Sequence, residues 1–194
     1  MVPRPPDRAP AGVGDHNERA AGEALVFAAV ATNPPLDLVL TPIGGAGRPV
    51  KAWLTVFHLF FVAVDPGNER SAWLVPTAAR VLTEYEQADV RVAWLVAGTA
   101  EDARRLLGRW AREILTFVDP ELTAIRAFGL ESLPAAVHLG MDGGIVNAAV
   151  GWDPPAWRRL VTDLSRIVRW THPVIPGPRD PAPFAGAPLP RVSS

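Results

Sequence analysis

An α/β sandwich, with a central sheet of parallel and antiparallel strands between helical layers, is the fold class this sequence predicts. Two runs carry the first part of that expectation. His58 to Val64 and Val90 to Ala97 are apolar without alternation, the pattern of central strands covered on both faces, and each leads into a segment with helical spacing. The end of the chain carries the rest. Ala135 to Leu139 and Gly144 to Val150 read as strands flanking the turn Met141-Asp142-Gly143, and an amphipathic helix follows. Strand, helix, strand, helix, then a closing hairpin and helix give a mixed sheet, with right-handed crossovers joining the parallel strands.

Three regions are expected: an N-terminal extension over 1–35, a domain over 36–170 and a Pro-rich tail over 171–194. Residues 1–20 are rich in Pro, Ala, Gly, Arg and Asp and bury too little to offset the entropy of ordering, so this part is expected to be mobile. Glu18 to Ala31 has the composition of a short helix, ended by Asn33-Pro34-Pro35. Leu36 to Leu40 reads as a strand, and Thr41 to Pro49, with Gly44, Gly45 and Gly47, as a turn. Val50 to Phe57 is an apolar lead-in of undecided type. Asp65-Pro66-Gly67 stops the first central strand, and Asn68 is placed to cap a helix by accepting from the free amides of its first turn. Leu74, Ala78, Val81, Leu82 and Tyr85 keep helical spacing to about Glu86, with Pro76 inside, where it removes a donor and is expected to kink the helix.

After the second central strand, Thr99 caps a helix whose apolar face carries Ala103, Leu106, Leu107 and Trp110. Ile114 to Val118 reads as a short strand broken by Asp119-Pro120. Glu121 to Phe128 reads as one or two helical turns closed by Gly129. The last helix spans Ala156 to Trp170, with Trp157, Leu160, Val161, Leu164, Ile167 and Val168 on one face. Beyond it, the prolines from Pro173 to Pro190 exclude helix and central strand and favour extended, polyproline-like structure. That tail either straps onto the domain, docks in a partner's groove or stays disordered.

Composition excludes whole classes of chemistry. The chain has no cysteine, so disulfides, thiol nucleophiles and thiolate metal sites are ruled out together. Net charge is −1, which gives no global pull toward nucleic acid or an anionic membrane. The most apolar run, Trp53 to Val64, is shorter than the roughly 20 residues a bilayer span needs, and no segment reads as a secretory signal. A cytoplasmic protein is the expectation, and the proline, alanine and arginine usage suggests a GC-rich bacterial genome. Four histidines are scattered without metal-ligand spacing, so neither a metal nor another cofactor is expected. Gly44-Gly45-Ala46-Gly47 lacks the Lys-Ser/Thr of a phosphate loop and reads as a turn.

Read together, these segments resemble the thioredoxin-like superfamily, and within it the redoxin branch of peroxiredoxin and TlpA-type proteins. Leu38-Val39-Leu40-Thr41-Pro42 with Gly47-Arg48-Pro49-Val50 is similar to the opening strand pair of redoxins. His58 to Asp65 resembles the strand leading to their active site, and Pro76 the kinking proline of the helix that follows. Phe117-Val118-Asp119-Pro120 resembles the redoxin insertion before the last hairpin, and Leu133-Pro134 sits where the family has a cis-proline. The resemblance covers roughly Leu36 to Trp170. It also exposes a departure. Family members place Cys-x-x-Cys at the start of the kinked helix, where free amides stabilise a thiolate. Here those positions fall on Asn68 and Ser71, in Asn68-Glu69-Arg70-Ser71.

The resemblance therefore implies a groove built from Asn68, Glu69, Arg70, Ser71, Leu133 and Pro134. In the family that groove binds extended polypeptide by strand addition. The plainer reading is a capped helix start on an inert surface. The expected function is that of a redox-inactive, non-enzymatic thioredoxin-like protein acting on another protein as assembly factor, chaperone or complex subunit. The alternative is a non-thiol enzyme or small-ligand binder built on His58, Asp65, Arg70 and Ser71. A third possibility is a structural subunit whose groove is plugged by its own N-terminal arm or proline tail. His58 and His138 are each expected to be hydrogen-bonded within a strand rather than catalytic. Of the seven tryptophans, Trp94 and Trp110 are expected to fill the core.

Overall fold

The computed structural model describes residues 31–189. Expectations for residues 1–30, His16 and most of the helix read from Glu18 among them, lie outside the described residues, as do those for 190–194. In chain order the elements are β1 (Val39–Pro42), β2 (Arg48–Pro49), α1 (Val50–Trp53), β3 (His58–Val64), α2 (Glu69–Glu84), β4 (Val90–Val96), α3 (Ala100–Leu107), α4 (Trp110–Glu113), β5 (Leu115–Val118), α5 (Thr123–Ala127), β6 (Ser132–Leu133), β7 (Ala135–Leu139), β8 (Ile145–Val150), α6 (Pro154–Val168) and β9 (Ala187–Pro188).

A mixed sheet runs β2-β1-β5-β4-β3-β7-β8, and a two-stranded sheet pairs β6 with β9. β3 lies parallel to β4 and antiparallel to β7, and β4 lies parallel to β5. The reason β3 shows no polar alternation is now visible. Phe60, Val62 and Val64 pack under α2, α3 and α6, while Leu59, Phe61 and Ala63 pack against α1 and α5. Both faces are dry, so both must be apolar. Tyr85, just past α2, ties the helical layer together: its hydroxyl bonds to Val161 O (2.9 Å) and to Ser165 Oγ (2.7 Å), the latter a pair in which either hydroxyl can donate. Burial, only partly offset by the Ser165 bond, pushes its phenol up to about 12.

Several local signals act as read. Asn68 Oδ1 accepts from Arg70 N at 2.9 Å and starts α2. Thr99 and Asp102 form a reciprocal capping box at α3. Other expectations need correction. Part of the stretch read as a turn is strand, because Thr41 and Pro42 pair with Val118 and Phe117, and Arg48 with Leu40. Val50 to Phe57 resolves into a single helical turn and a bend. Gly108, at φ +56°, ends α3, so Trp110 sits on a separate turn. It is half-buried beneath the Arg109 guanidinium, 4.1 Å from its ring, rather than filling the core. α6 begins two residues early, since Pro154 and Pro155 occupy first-turn positions that need no amide partner, and its Ile167 is 45% exposed. No helix of the described residues is long and apolar enough to cross a membrane.

Candidate functional site

β3 delivers the chain to the turn Asp65-Pro66-Gly67, where Gly67 N donates to Asp65 Oδ1 at 2.8 Å. Asn68 then does two jobs. Its amide oxygen caps α2, and its Nδ2 donates to Leu133 O at 3.2 Å, the carbonyl just ahead of Pro134. The Leu133-Pro134 peptide is cis. Ser71 is fully buried, and its Oγ accepts from Asp65 N at 3.0 Å. Leu133 and Pro134 are also buried, whereas Glu69 and Arg70 are exposed. Asp65, Asn68, Glu69, Arg70 and Trp73 line a shallow cleft of about 590 Å³. The residues read from sequence thus gather at one end of β3. Within that cluster, Ser71 and Leu133 serve the interior and only Glu69 and Arg70 are exposed.

The far wall of the cleft is the chain's own tail, Ala187 and Pro188. The tail leaves α6 at its αL residue Arg169 and crosses α2. Arg80 Nη1 donates to Val174 O, Arg158 Nε donates to Ile175 O, and Ile175 enters the core. Asp180 is the anchor. It takes both contacts from Arg80 Nη2 (2.7 and 3.0 Å), one from Thr77 Oγ1 (2.9 Å) and one from Gly177 N (2.6 Å). Its side chain is only 4% exposed. Beyond it, Phe184 exchanges backbone hydrogen bonds with Trp152 at 2.8 and 3.0 Å, and Ala185 O accepts from Arg70 Nη1 at 2.8 Å. Ala187 and Pro188 then pair antiparallel with Leu133 and Ser132, and Leu189 N donates to Glu131 O at 2.9 Å. Of the three fates read for the tail, strapping onto the domain is the one the described residues adopt.

A scan of family models finds no match, and no curated protein matches the sequence. Solved structures do. The thioredoxin domain of a thiol-disulfide oxidoreductase from Bacteroides vulgatus superposes with a TM-score of 0.55 at 8% identity, covering 71% of this chain and 98% of that one. The bacterioferritin comigratory protein of Xanthomonas campestris, described for its alkyl peroxide reduction activity, gives 0.54 at 14% identity, covering 69% and 94%. The chain has a thioredoxin-like fold. MTB dsbF, described in mixed oxidised and reduced forms, is similar to the same extent, at a TM-score of 0.54 and 13% identity. At these identities the likeness concerns the fold alone. What separates the thioredoxin-like domain here from its neighbours' redox chemistry is local: without a cysteine it cannot perform dithiol exchange or thiol peroxidase chemistry. Ser71 has a structural partner here. Its Oγ accepts from a backbone amide, and no base contacts it among the described residues.

His58 does not join this cluster. It lies at the opposite end of β3, so the four residues His58, Asp65, Arg70 and Ser71 do not converge. There its Nδ1 lies 2.9 Å from His138 Nε2, across a sequence separation of 80. Each was expected to be hydrogen-bonded; that they bond each other was not read. The missing signal is register: Phe60 pairs with His138, so His58, two residues before Phe60, lies diagonal to His138 on the same face of the sheet. His138 is fully buried, and its Nδ1 has no partner among the described residues. Burial, with His58 adding to it, pushes the His138 imidazole down to about 4. No group of three or more metal-ligating side chains occurs among the described residues.

Proposed function

We propose that this chain is a redox-inactive thioredoxin-like protein that works by accepting an extended segment of another protein at β6, as an assembly factor, chaperone or complex subunit. One observation carries the reading: β6, next to the cis-proline, already holds an extended segment, the chain's own Ala187–Pro188, in antiparallel register. Strand addition needs a backbone edge and room beside it, and β6 offers such an edge once the tail strand leaves it. No thiol is required, and a reading that uses no disulfide suits the cytosol. The non-thiol enzyme alternative loses support because its residues lie at two ends of one strand. The pairing of the tail with β6 also supports the third possibility, a groove plugged by the tail; under this proposal the plug is displaceable.

The tail can be fixed or freed without altering the groove. The Leu189–Glu131 bond makes Ser132 and Pro188 a non-hydrogen-bonded antiparallel pair, whose close Cα atoms suit a disulfide. In a chain with no other cysteine, Ser132→Cys with Pro188→Cys forms that bridge alone. The reduced protein is expected to retain a stoichiometric partner from an extract of its host, and the oxidised protein to lose it. Equal capture by both forms, or capture by neither, overturns the proposal.

A further inference from the structure

The tail does more than cover the groove. We propose that it is a tethered stand-in for the ligand, and that the groove selects an extended segment with an aromatic residue two positions before a glycine or other small residue. This rests on the strand-addition reading above and adds the ligand's chemistry to it. The tail has two parts. Val174 to Asp180 is held by Arg80, Thr77 and Arg158 through side-chain bonds to a nearly buried carboxylate and to carbonyls. Pro181 to Leu189 is held differently: its hydrogen bonds run through its backbone, and Phe184 and Leu189 pack against the core. Trp152 Nε1 donates to Pro181 O at 2.9 Å, the Trp152 backbone takes both bonds of Phe184, Arg70 takes Ala185 O, and β6 pairs with Ala187 and Pro188. Backbone bonds of this kind can be made by any extended chain, so they confer affinity without fixing sequence.

Two features do fix sequence. The first is aromatic. Trp73 is 55% exposed, and its ring meets Phe184 edge-to-face with centroids 6.1 Å apart. An exposed tryptophan whose ring contact is a residue of the tail is a docking platform for that residue. The second is steric. A Cβ on Gly186 would lie 2.8 Å from Val150 Cγ1 and 3.0 Å from Ser132 Cβ, so this position tolerates almost nothing. From the domain side, a Cβ on Gly151 would lie 2.4 Å from Phe184 O and 2.6 Å from Gly186 N. The domain is thus cut away at Gly151 to admit a backbone at that spot. Because Asp180 stays anchored, the stand-in competes at high effective concentration, and an incoming segment must match its aromatic contact to displace it.

The test uses the full-length chain carrying Phe184→Ala, which weakens the stand-in while keeping its anchor. The probes are fluorescent peptides of residues 181–189, one with Phe184 and one with alanine in its place, read by anisotropy. The phenylalanine peptide is expected to bind about tenfold more tightly, as removal of an aromatic anchor commonly costs. Adding Trp73→Ala, a surface change, is expected to shrink that difference severalfold, the contact of Phe184 with the core remaining. Oxidising Ser132→Cys/Pro188→Cys in the same chain should abolish binding of both peptides, and reduction should restore it. Equal binding of the two peptides overturns the aromatic rule and leaves the strand-addition reading to the partner-capture test. Binding of neither peptide to the reduced chain overturns the stand-in itself.

Discussion

The two ends of β3 carry opposite kinds of polar group. At its C-terminal end, where the neighbours of this fold carry thiol chemistry, three side chains have structural tasks. Ser71 holds Asp65 N, Asn68 caps α2 and holds Leu133 O, and Arg70 holds the tail. At its N-terminal end, where nothing in the resemblance points, two imidazoles hydrogen-bond each other and His138 Nδ1 is left without a partner among the described residues. The contrast teaches that a cysteine-free chain of this fold leaves no vacancy at that place. That place is a hydrogen-bonded network bordered by the tail, while an unsatisfied imidazole nitrogen lies at the other end of the strand.

The covered end breaks most readily at Gly151. Its φ of +69° is strained for any side chain, and its neighbours are tail backbone rather than flexible atoms. Gly151→Val is expected to release the tail and cost about 4 kcal/mol, the sum of left-handed strain and lost tail contacts. Gly108 is the control, because its φ is +56° and a Cβ there meets nothing within 4 Å. Gly108→Ala should cost only the strain of its φ +56°, ψ −121° backbone, about 1–3 kcal/mol. Urea unfolding measures both, and hydrogen exchange at the Leu189 amide reports tail release. Equal costs at the two glycines would show that the tail contributes nothing there.

The open end is sharpened by pH. The unfolded His138 titrates near its ordinary 6.5, and the folded one near 4. Between those values the unfolded chain binds the extra proton. Stability from this group is therefore complete above about pH 6.5 and falls as pH drops toward 4. The loss is on the order of 3 kcal/mol, since each pKa unit corresponds to about 1.4 kcal/mol. His138→Leu should flatten that limb of the stability curve, and NMR should find the His138 ring neutral at pH 5. A His138 ring that titrates near 6.5 in the folded chain would remove the contrast.

What the sequence disclosed divides along the same lines. Local signals were legible: Asn68 and Thr99 cap because a cap is a matter of three or four residues, and β3 and β4 were visible because burial on both faces leaves no polar residue in them. Long-range pairing was not. His58 and His138 meet only because β3 and β7 align in one register out of several. Proline content showed that the tail is extended, yet Asp180 finding Arg80 across 100 residues is a property of the folded surface. The cluster of Asn68, Arg70, Ser71, Leu133 and Pro134 came from resemblance. The closing of that cluster by the tail was raised as one of three possibilities, and only the coordinates choose among them.

The smallest expected effect asks whether the rebuilt end is as inert as its hydrogen bonds imply. Ser71 stands where the family resemblance places the second cysteine, so a catalytic or ligand-holding role is the natural rival to a structural one. The geometry favours structure: the hydroxyl is fully buried and accepts from Asp65 N, the amide at the start of the turn into α2. Ser71→Ala leaves that N–H without its acceptor and is expected to cost about 1–2 kcal/mol, the usual penalty for an orphaned buried donor. Asn68→Ala loses the helix cap and is expected to cost about 1 kcal/mol. The two bonds brace the same turn, so the double variant should cost measurably less or more than the sum of the two changes. Urea midpoints give these values, and the peptide anisotropy assay supplies the discriminating readout. An unchanged midpoint with lost peptide binding would move Ser71 from the frame of the groove to its floor; a lowered midpoint with unchanged peptide affinity in the folded protein keeps it in the frame.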